Sequence, residues 1–293
     1  MTRSGFVALA GRPNVGKSTF VNAVVGEKVA IVSDRPQTTR RAIRGVYHSD
    51  DCQIVLVDLP GVQRPRDVLT ARMAKRVQQE LDGSDAVLLM LNAQQGVGPG
   101  DRFIASTLVS ANVPVTIAVN KVDQLSRAAL IVVLEQAVQL QPQAEVFPIS
   151  ARTGVGVCEL VEHLAALMPE GPFMYAAQET SDQSQELLFA ELIREAVIRR
   201  TFQELPHAVE VVVEEIAHPR DSLATVRALI WVESDSQKGI LIGAQGRMIK
   251  AIGSAARREL ERVLDCRVHL ELMVRVRRDW RADEGLLDRL GIT

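Results

Sequence analysis

The chain has 293 residues, 47% hydrophobic and 24% charged. This composition fits one large or two ordinary globular domains and excludes a disordered or fibrous chain. Taken whole, the net charge of −2 argues against a nucleic-acid binder, and three widely spaced cysteines, Cys52, Cys158 and Cys266, argue against a disulfide framework or a zinc site.

No apolar leader precedes the first motif, and the longest apolar runs (86–91 and 113–119) are strand-sized, so a soluble cytoplasmic protein is expected. Residues 6–10 (FVALA) read as a buried strand. Residues 11–18 then spell GRPNVGKS, a full G-x-x-x-x-G-K-S phosphate loop. Gly11 and Gly16 let the backbone turn its N–H groups inward, with Asn14 and Val15 between them. Residues 17–25 follow as a helix whose N-terminus favours phosphate. Lys17 is placed to reach the β- and γ-phosphates and Ser18 to bind Mg2+ through its hydroxyl, with Thr19 in the same turn.

Residues 33–41 (SDRPQTTRR) form a polar loop. Its Thr38 and Thr39 are candidates to close on Mg2+, and Thr39, beside Arg40, is favoured. Residues 44–47 and 53–58 read as strands. The second ends in Asp58-Leu59-Pro60-Gly61, where Asp58 can hold Mg2+ through water and Gly61 can offer its N–H to the γ-phosphate. A helix over 70–81, a strand over 86–92 and a helix over 102–110 follow.

The strand over 115–120 runs into Asn120-Lys121-Val122-Asp123. A carboxylate at Asp123 accepts from guanine N1–H and the exocyclic amine together and repels adenine's acceptor. Lys121 can pack its stem over the base. After a helix over 128–139 and a strand over 146–149, Ser150-Ala151-Arg152 supplies a backbone loop for the guanine carbonyl. A helix over 157–167 completes the pattern. Strands apolar on both faces, alternating with helices, predict a doubly wound α/β domain over residues 1–168.

Residues 169–183 (PEGPFMYAAQETSDQ) break the rhythm and read as a linker. A helix over 184–203, strands over 208–216 and 224–233, a helix over 248–264 and a strand over 268–276 then predict an α+β domain over 184–293. Gly243-Ala244-Gln245-Gly246 is a G-x-x-G loop. Ile240, Ile242, Ile249 and Ile252 are expected to place short helices on one core around it. Arg247 and Lys250 follow immediately, and Arg257, Arg258 and Arg262 lie on the next helix. Arg275, Arg277, Arg278 and Arg281 cluster after the last strand beside Trp280, which either stacks on a base or pins the tail to the core. Residues 238–281 hold 11 basic and 5 acidic side chains, whereas residues 182–237 hold 5 and 11. The overall charge is thus a cancellation, and the basic block coincides with the G-x-x-G loop.

The order GRPNVGKS, QTTR, DLPG, NKVD, SAR resembles the translation-factor class of GTPases, and the Era family most closely. The G-x-x-G loop in its helix–strand–strand setting resembles a type II KH domain, which clamps single-stranded RNA by its backbone. Together the resemblance covers nearly the whole chain, with Leu59 standing where that family usually has Thr. It implies a P-loop GTPase domain followed by a KH domain, with GTP or GDP and Mg2+ as ligands. It implies a bacterial assembly factor that binds the 3′ region of 16S rRNA and acts in 30S subunit maturation. A monomer in the cytoplasm, with a fraction peripheral to the membrane, fits the family. The other reading keeps RNA binding but reduces GTP to a conformational regulator with little hydrolysis. Val62 occupies the position where many small GTPases carry the Gln that orients the attacking water, so intrinsic turnover is expected to be slow. Asn14 either supports the phosphate loop or, as the resemblance implies, helps hold K+.

Overall fold

The computed structural model describes residues 1–33, 35, 38–62, 65–108, 113–202 and 205–292. Two compact units emerge: Met1–Ala30 with Thr39–Asp182 and Gly291–Thr293, and Ile31–Thr38 with Gln183–Leu290.

The first unit is built on six strands: β1 (Arg3–Ala10), β2 (Ile43–His48), β3 (Cys52–Asp58), β4 (Ala86–Asn92), β5 (Val115–Asn120) and β6 (Val146–Ile149). Their order is β2-β3-β1-β4-β5-β6. Only β2 runs antiparallel, with Ile43 opposite Asp58. Five helices cover the sheet: α1 (Lys17–Val25), α2 (Val68–Asp82), α3 (Pro99–Leu108), α4 (Arg127–Leu140) and α5 (Val157–Leu167). Alternate β1 residues point to opposite faces. Val7 and Leu9 pack with Phe20 of α1 and Leu160 of α5, while Ala8 and Ala10 pack with Leu81, Ile104 and Val133 of α2, α3 and α4. Every residue of β3 and β4 is buried, the consequence of apolar side chains on both faces. The expected helix over 102–110 begins at Pro99, where the missing N–H costs nothing, and its last two expected residues lie outside the described ones.

The stretch read as a linker, 169–183, is tied to this unit through Asp182. Gln53, buried in β3, accepts from the N–H groups of Met174 at 2.7 Å and Tyr175 at 3.1 Å and donates to the Tyr175 carbonyl at 2.9 Å. Arg3 and Glu170, and Gly45 and Ser181, pair as isolated bridges. These bonds use backbone groups, so composition gives no sign of them.

The second unit contains α6 (Gln185–Ile198), α7 (Leu205–Ala208), β7 (Glu210–Arg220), β8 (Leu223–Val232), α8 (Asp235–Ile242), α9 (Arg247–Leu264), β9 (Arg267–Val276) and α10 (Glu284–Arg289). The sheet order is β7-β8-β9, with β8 antiparallel to β7 and parallel to β9. Ile252, Ala256 and Leu260 project from α9 at intervals of one turn and meet Leu192 and Ile193 of α6 and Ile230 of β8. The helix expected over 184–203 ends at Ile198, and Gln203 lies outside the described residues. Ile31 joins the same core, the Val32 N–H donates to Glu195 at 3.1 Å, and Arg194 donates to the Thr38 carbonyl. Trp280 is fully buried and its Nε1–H donates to the Ala208 carbonyl at 2.9 Å. It therefore belongs to the core rather than to a stacking surface. No described helix is long and apolar enough to cross a membrane.

Candidate nucleotide and RNA sites

Parallel strands bring their carboxyl ends to one sheet edge, and the loops after β1, β3, β5 and β6 form the site there. The loop after β1 holds Asn14 at φ 63° and Gly16 at φ 102°. A Cβ on Gly16 would lie 2.2 Å from Asn120 Nδ2, so both backbone angle and space require glycine. Among the described residues no side chain caps the N-terminus of α1, so its N–H groups and dipole form a ready anion site. Lys17 is buried and its Nζ donates to the carbonyls of Gly11 and Arg12, each at 3.3 Å. Burial pushes its ammonium below the usual lysine value, and Asp58 opposes the shift. Arg12 itself pairs at 2.8 Å with Asp101, a buried residue of α3.

Three oxygens expected around Mg2+ meet in one place. Ser18 Oγ donates to Asp58 Oδ2 at 2.6 Å, Thr39 Oγ1 donates to the same oxygen at 3.3 Å, and the two hydroxyls are 3.3 Å apart. Thr38 does not join them: its hydroxyl donates to the Arg35 carbonyl at 2.7 Å. One carboxylate with two hydroxyls is a hard, oxygen-only donor set that fits Mg2+ with retained waters. Gln37 of the QTTR motif lies outside the described residues. Gly61 sits close against Pro13, and the Val62 N–H donates to the Gly11 carbonyl at 3.3 Å, which brings the DLPG segment beside the phosphate loop.

The residues expected to read the base are bonded to one another and to the phosphate loop. Asp123 Oδ1 accepts from Ser150 Oγ at 2.7 Å and Oδ2 from Arg152 Nη2 at 2.6 Å. The Ser150 hydroxyl, and then Arg152, hold this carboxyl below its usual value. Lys121 stands at φ 70° and its Nζ donates to the Asn14 carbonyl at 2.9 Å. Asn120 is buried and ties three loops together. Its Nδ2 donates to the Val15 carbonyl at 2.8 Å, and its Oδ1 accepts from Lys121 N–H at 2.8 Å and Ala151 N–H at 2.9 Å. Motif spacing marks Asn120 but does not reveal this tethering role.

In the second unit, Gly243, Gln245 and Gly246 all take positive φ, at 71°, 53° and 74°. A Cβ on Gly243 would lie 2.7 Å from Met248 Cβ, so the turn into α9 requires glycine there. The expected core role holds for Ile252 and partly for Ile249, but not for Ile240 and Ile242, which are 55% and 36% exposed. Leu241, between them, takes the core position, because successive helical residues diverge by about 100°. Two exposed isoleucines therefore lie in the turn of α8 just before the loop, where helical spacing alone predicts interior positions. Lys250 and Arg257 line a groove with His269 of β9, while Arg258 falls on the other flank of α9. Arg247 Nε bonds the Ala244 carbonyl at 3.3 Å. Arg275 and Arg278 are exposed. Arg277 lies 5.0 Å over the Trp231 ring, and Arg281 pairs with Glu233 at 3.2 Å.

Family models match residues 6–121 as a 50S ribosome-binding GTPase and residues 204–281 as a KH domain. GTPase Era of Mycobacterium tuberculosis is 46% identical over 98% of both chains, and that of Lactobacillus helveticus is 43% identical over 99% of this chain and 96% of its own. Two crystal structures match over the full length of both chains at 33% identity. One, with a TM-score of 0.96, is Era in complex with MgGDPNP and nucleotides 1506–1542 of 16S ribosomal RNA. The other, with a TM-score of 0.95, is a variant of Aquifex aeolicus Era bound to GDP·AlF4−. On this sequence similarity, with the phosphate loop, the NKVD and SAR loops and the G-x-x-G turn in place, the chain belongs to the Era family of GTPases.

Proposed function

We propose that this protein is a GTP-hydrolysing switch that binds the 3′ region of small-subunit ribosomal RNA and acts in 30S subunit maturation. The observation that carries the enzymatic half is the convergence of Ser18, Thr39 and Asp58 oxygens beside Lys17 and the open N-terminus of α1. Ser18, Thr39 and Asp58 would hold Mg2+, which neutralises phosphate charge when bound. Lys17 holds a cation at the phosphates, Asp123 selects guanine, and the Gly61 N–H is positioned for the γ-phosphate. Val62 has no side-chain hydrogen-bonding group, so orientation of the attacking water falls to other groups. K+ held near Asn14 is the candidate that this loop supports, and equal turnover in NaCl and KCl would exclude it. In the same proposal the protein works as a cytoplasmic monomer, which light scattering of the purified protein tests.

The RNA half rests on the G-x-x-G turn and the RNA bound by one relative. Its direct test is Gly243→Asp with Gly246→Asp. Binding to a 3′ ribosomal RNA oligomer should be lost while hydrolysis without RNA persists, because carboxylates would meet the backbone phosphates. Normal RNA binding by that variant would remove the G-x-x-G loop as the RNA site.

A further inference from the structure

Asp101, in the first turn of α3, is wholly buried. A carboxylate out of water needs partners for its oxygens. Oδ2 accepts from the Gly98 N–H at 2.8 Å, the backward half of a capping box. That task takes one oxygen and no charge, since glutamine serves it as glutamate does. Oδ1 is used elsewhere: it accepts at 2.8 Å from Arg12 Nε, 89 positions away in the chain. Arg12 Nη2 also donates to the Gly96 carbonyl at 3.4 Å. Gly100 leaves room for the arginine stem, because a Cβ there would lie 2.7 Å from Arg12 Cδ. The turn that opens α3 is thus shaped to seat a side chain of the phosphate loop.

The backbone of Arg12 faces the other way in this arrangement, toward Lys17. The peptide groups on either side of the Arg12 Cα carry the Gly11 and Arg12 carbonyls, and Lys17 Nζ donates to both, each at 3.3 Å. Planar peptide units turn only about the bonds of the Cα between them. Holding the Arg12 side chain therefore restrains both carbonyls, and the carbonyls hold the ammonium. A line of contacts runs from Asp101 through Arg12 to Lys17, all within the first unit.

We propose that Asp101 is a positioning residue for GTP hydrolysis: through Arg12 it sets the two carbonyls that aim Lys17 at the β- and γ-phosphates. The proposal rests on the phosphate-site reading of Lys17 above. A role confined to capping α3 accounts for Oδ2 and leaves the Arg12 contact without a purpose. A planar guanidinium held at both Nε and Nη2 cannot swivel as a singly bonded ammonium can, so it fixes the backbone that carries it.

The test uses the full-length protein with Asp101→Asn, with Arg12→Gln and with both. Asparagine keeps an oxygen for the Gly98 N–H and removes the charge, so the cap survives while the pair to Arg12 is broken. Affinities for GMP, GDP and a non-hydrolysable GTP analogue are read by competition with a fluorescent GDP, alongside kcat and KM for GTP. Each single variant should weaken GDP and analogue binding and lower kcat by about tenfold, as expected for the loss of one charge-assisted hydrogen bond. GMP affinity should be unchanged, since Lys17 serves the phosphates beyond the first. The double variant should lose no more than the larger single loss, because the pair acts as a unit. Arg12→Lys, which keeps a charged donor, should recover part of the loss. Should Asp101→Asn fail to fold, Arg12→Gln and Arg12→Lys carry the test, because the Arg12 side chain is 25% exposed. Unchanged GDP affinity and kcat overturn the proposal. A loss shared equally by GMP, GDP and the analogue also overturns it, since a loosened fold gives that result, and so do single losses that add in the double variant. Lys17→Ala distinguishes the premise: if it binds GDP and the analogue as the wild type does, the phosphate-site reading itself fails.

Discussion

Replacing Asn120 by alanine removes one buried side chain that serves three loops. The Val15 carbonyl and the N–H groups of Lys121 and Ala151 lose their partner together. Three hydrogen bonds at about 1 kcal/mol net each give a loss of about 3 kcal/mol, rising toward 5 kcal/mol if the freed groups stay dry. For a unit of this size, 1 kcal/mol corresponds to roughly 2–4 °C, so the first thermal transition should fall by about 6–12 °C. Guanine-nucleotide affinity should fall with it, since the phosphate loop and the NKVD and SAR loops lose their common brace. A double-mutant cycle sharpens the test. Gly16→Ala places its Cβ 2.2 Å from Asn120 Nδ2. Asn120→Ala removes that clash and leaves only the backbone strain, so the double variant should cost less than the sum of the singles, by about 0.5–3 kcal/mol. Urea denaturation with nucleotide-binding titrations reads both quantities. An Asn120→Ala protein within about 0.5 kcal/mol of wild type, with unchanged affinity, would refute the brace.

Ser18→Ala breaks the 2.6 Å bond to Asp58 and removes a proposed metal ligand. The gain in GTP affinity on adding Mg2+ should shrink by about tenfold or more, and an undiminished gain would place the metal elsewhere. Trp280→Phe strands the Ala208 carbonyl. It should destabilise the second unit by about 1–3 kcal/mol while GDP affinity stays at the wild-type value. If Trp280 stacked on RNA instead, stability would hold and RNA affinity alone would fall. Asp123 is held below the usual carboxylate value, first by Ser150 and then by Arg152. Because its folded value is depressed, its contribution to stability is complete above the ordinary carboxylate value and is lost as pH falls through the lowered one. Ser150→Ala should move the Asp123 titration upward in a carbon NMR experiment, and a stationary titration would contradict the assigned cause.

The chemistry-bearing segments were legible in the sequence because each is local. Lys17–Val25, Ala86–Asn92 and Val157–Leu167 form between the expected bounds, since phosphate loop, apolar run and amphipathic period each act over a few neighbouring residues. What stayed hidden is set by residues distant in the chain. Phe189 to Ile198 of α6 are buried on every side, including Arg194 and Glu191, which pair at 2.5 Å. The helix is expected from the sequence but its all-round burial is not, because part of its cover comes from Ile31, Val32 and Thr38, far away in the chain. The bracing by Asn120 is invisible for the same reason. Ile240 and Ile242 were misplaced because a short helix has room for one core position, and Leu241 fills it. The six-residue α10 is too short to show periodicity.

The central claim is that nucleotide state and RNA binding are coupled in one molecule. The most direct measurement is the affinity of the full-length protein for a 3′ ribosomal RNA oligomer in three states: without nucleotide, with GDP and with a non-hydrolysable GTP analogue, all with Mg2+. A switch requires differential affinity, and binding reciprocity requires the RNA to shift nucleotide affinity by the same factor. RNA affinity should be at least about fivefold tighter with the GTP analogue than with GDP, matching the roughly 1 kcal/mol lower bound of such couplings. Equal affinity in all three states would contradict the switch and leave an RNA-binding protein with an uncoupled GTPase.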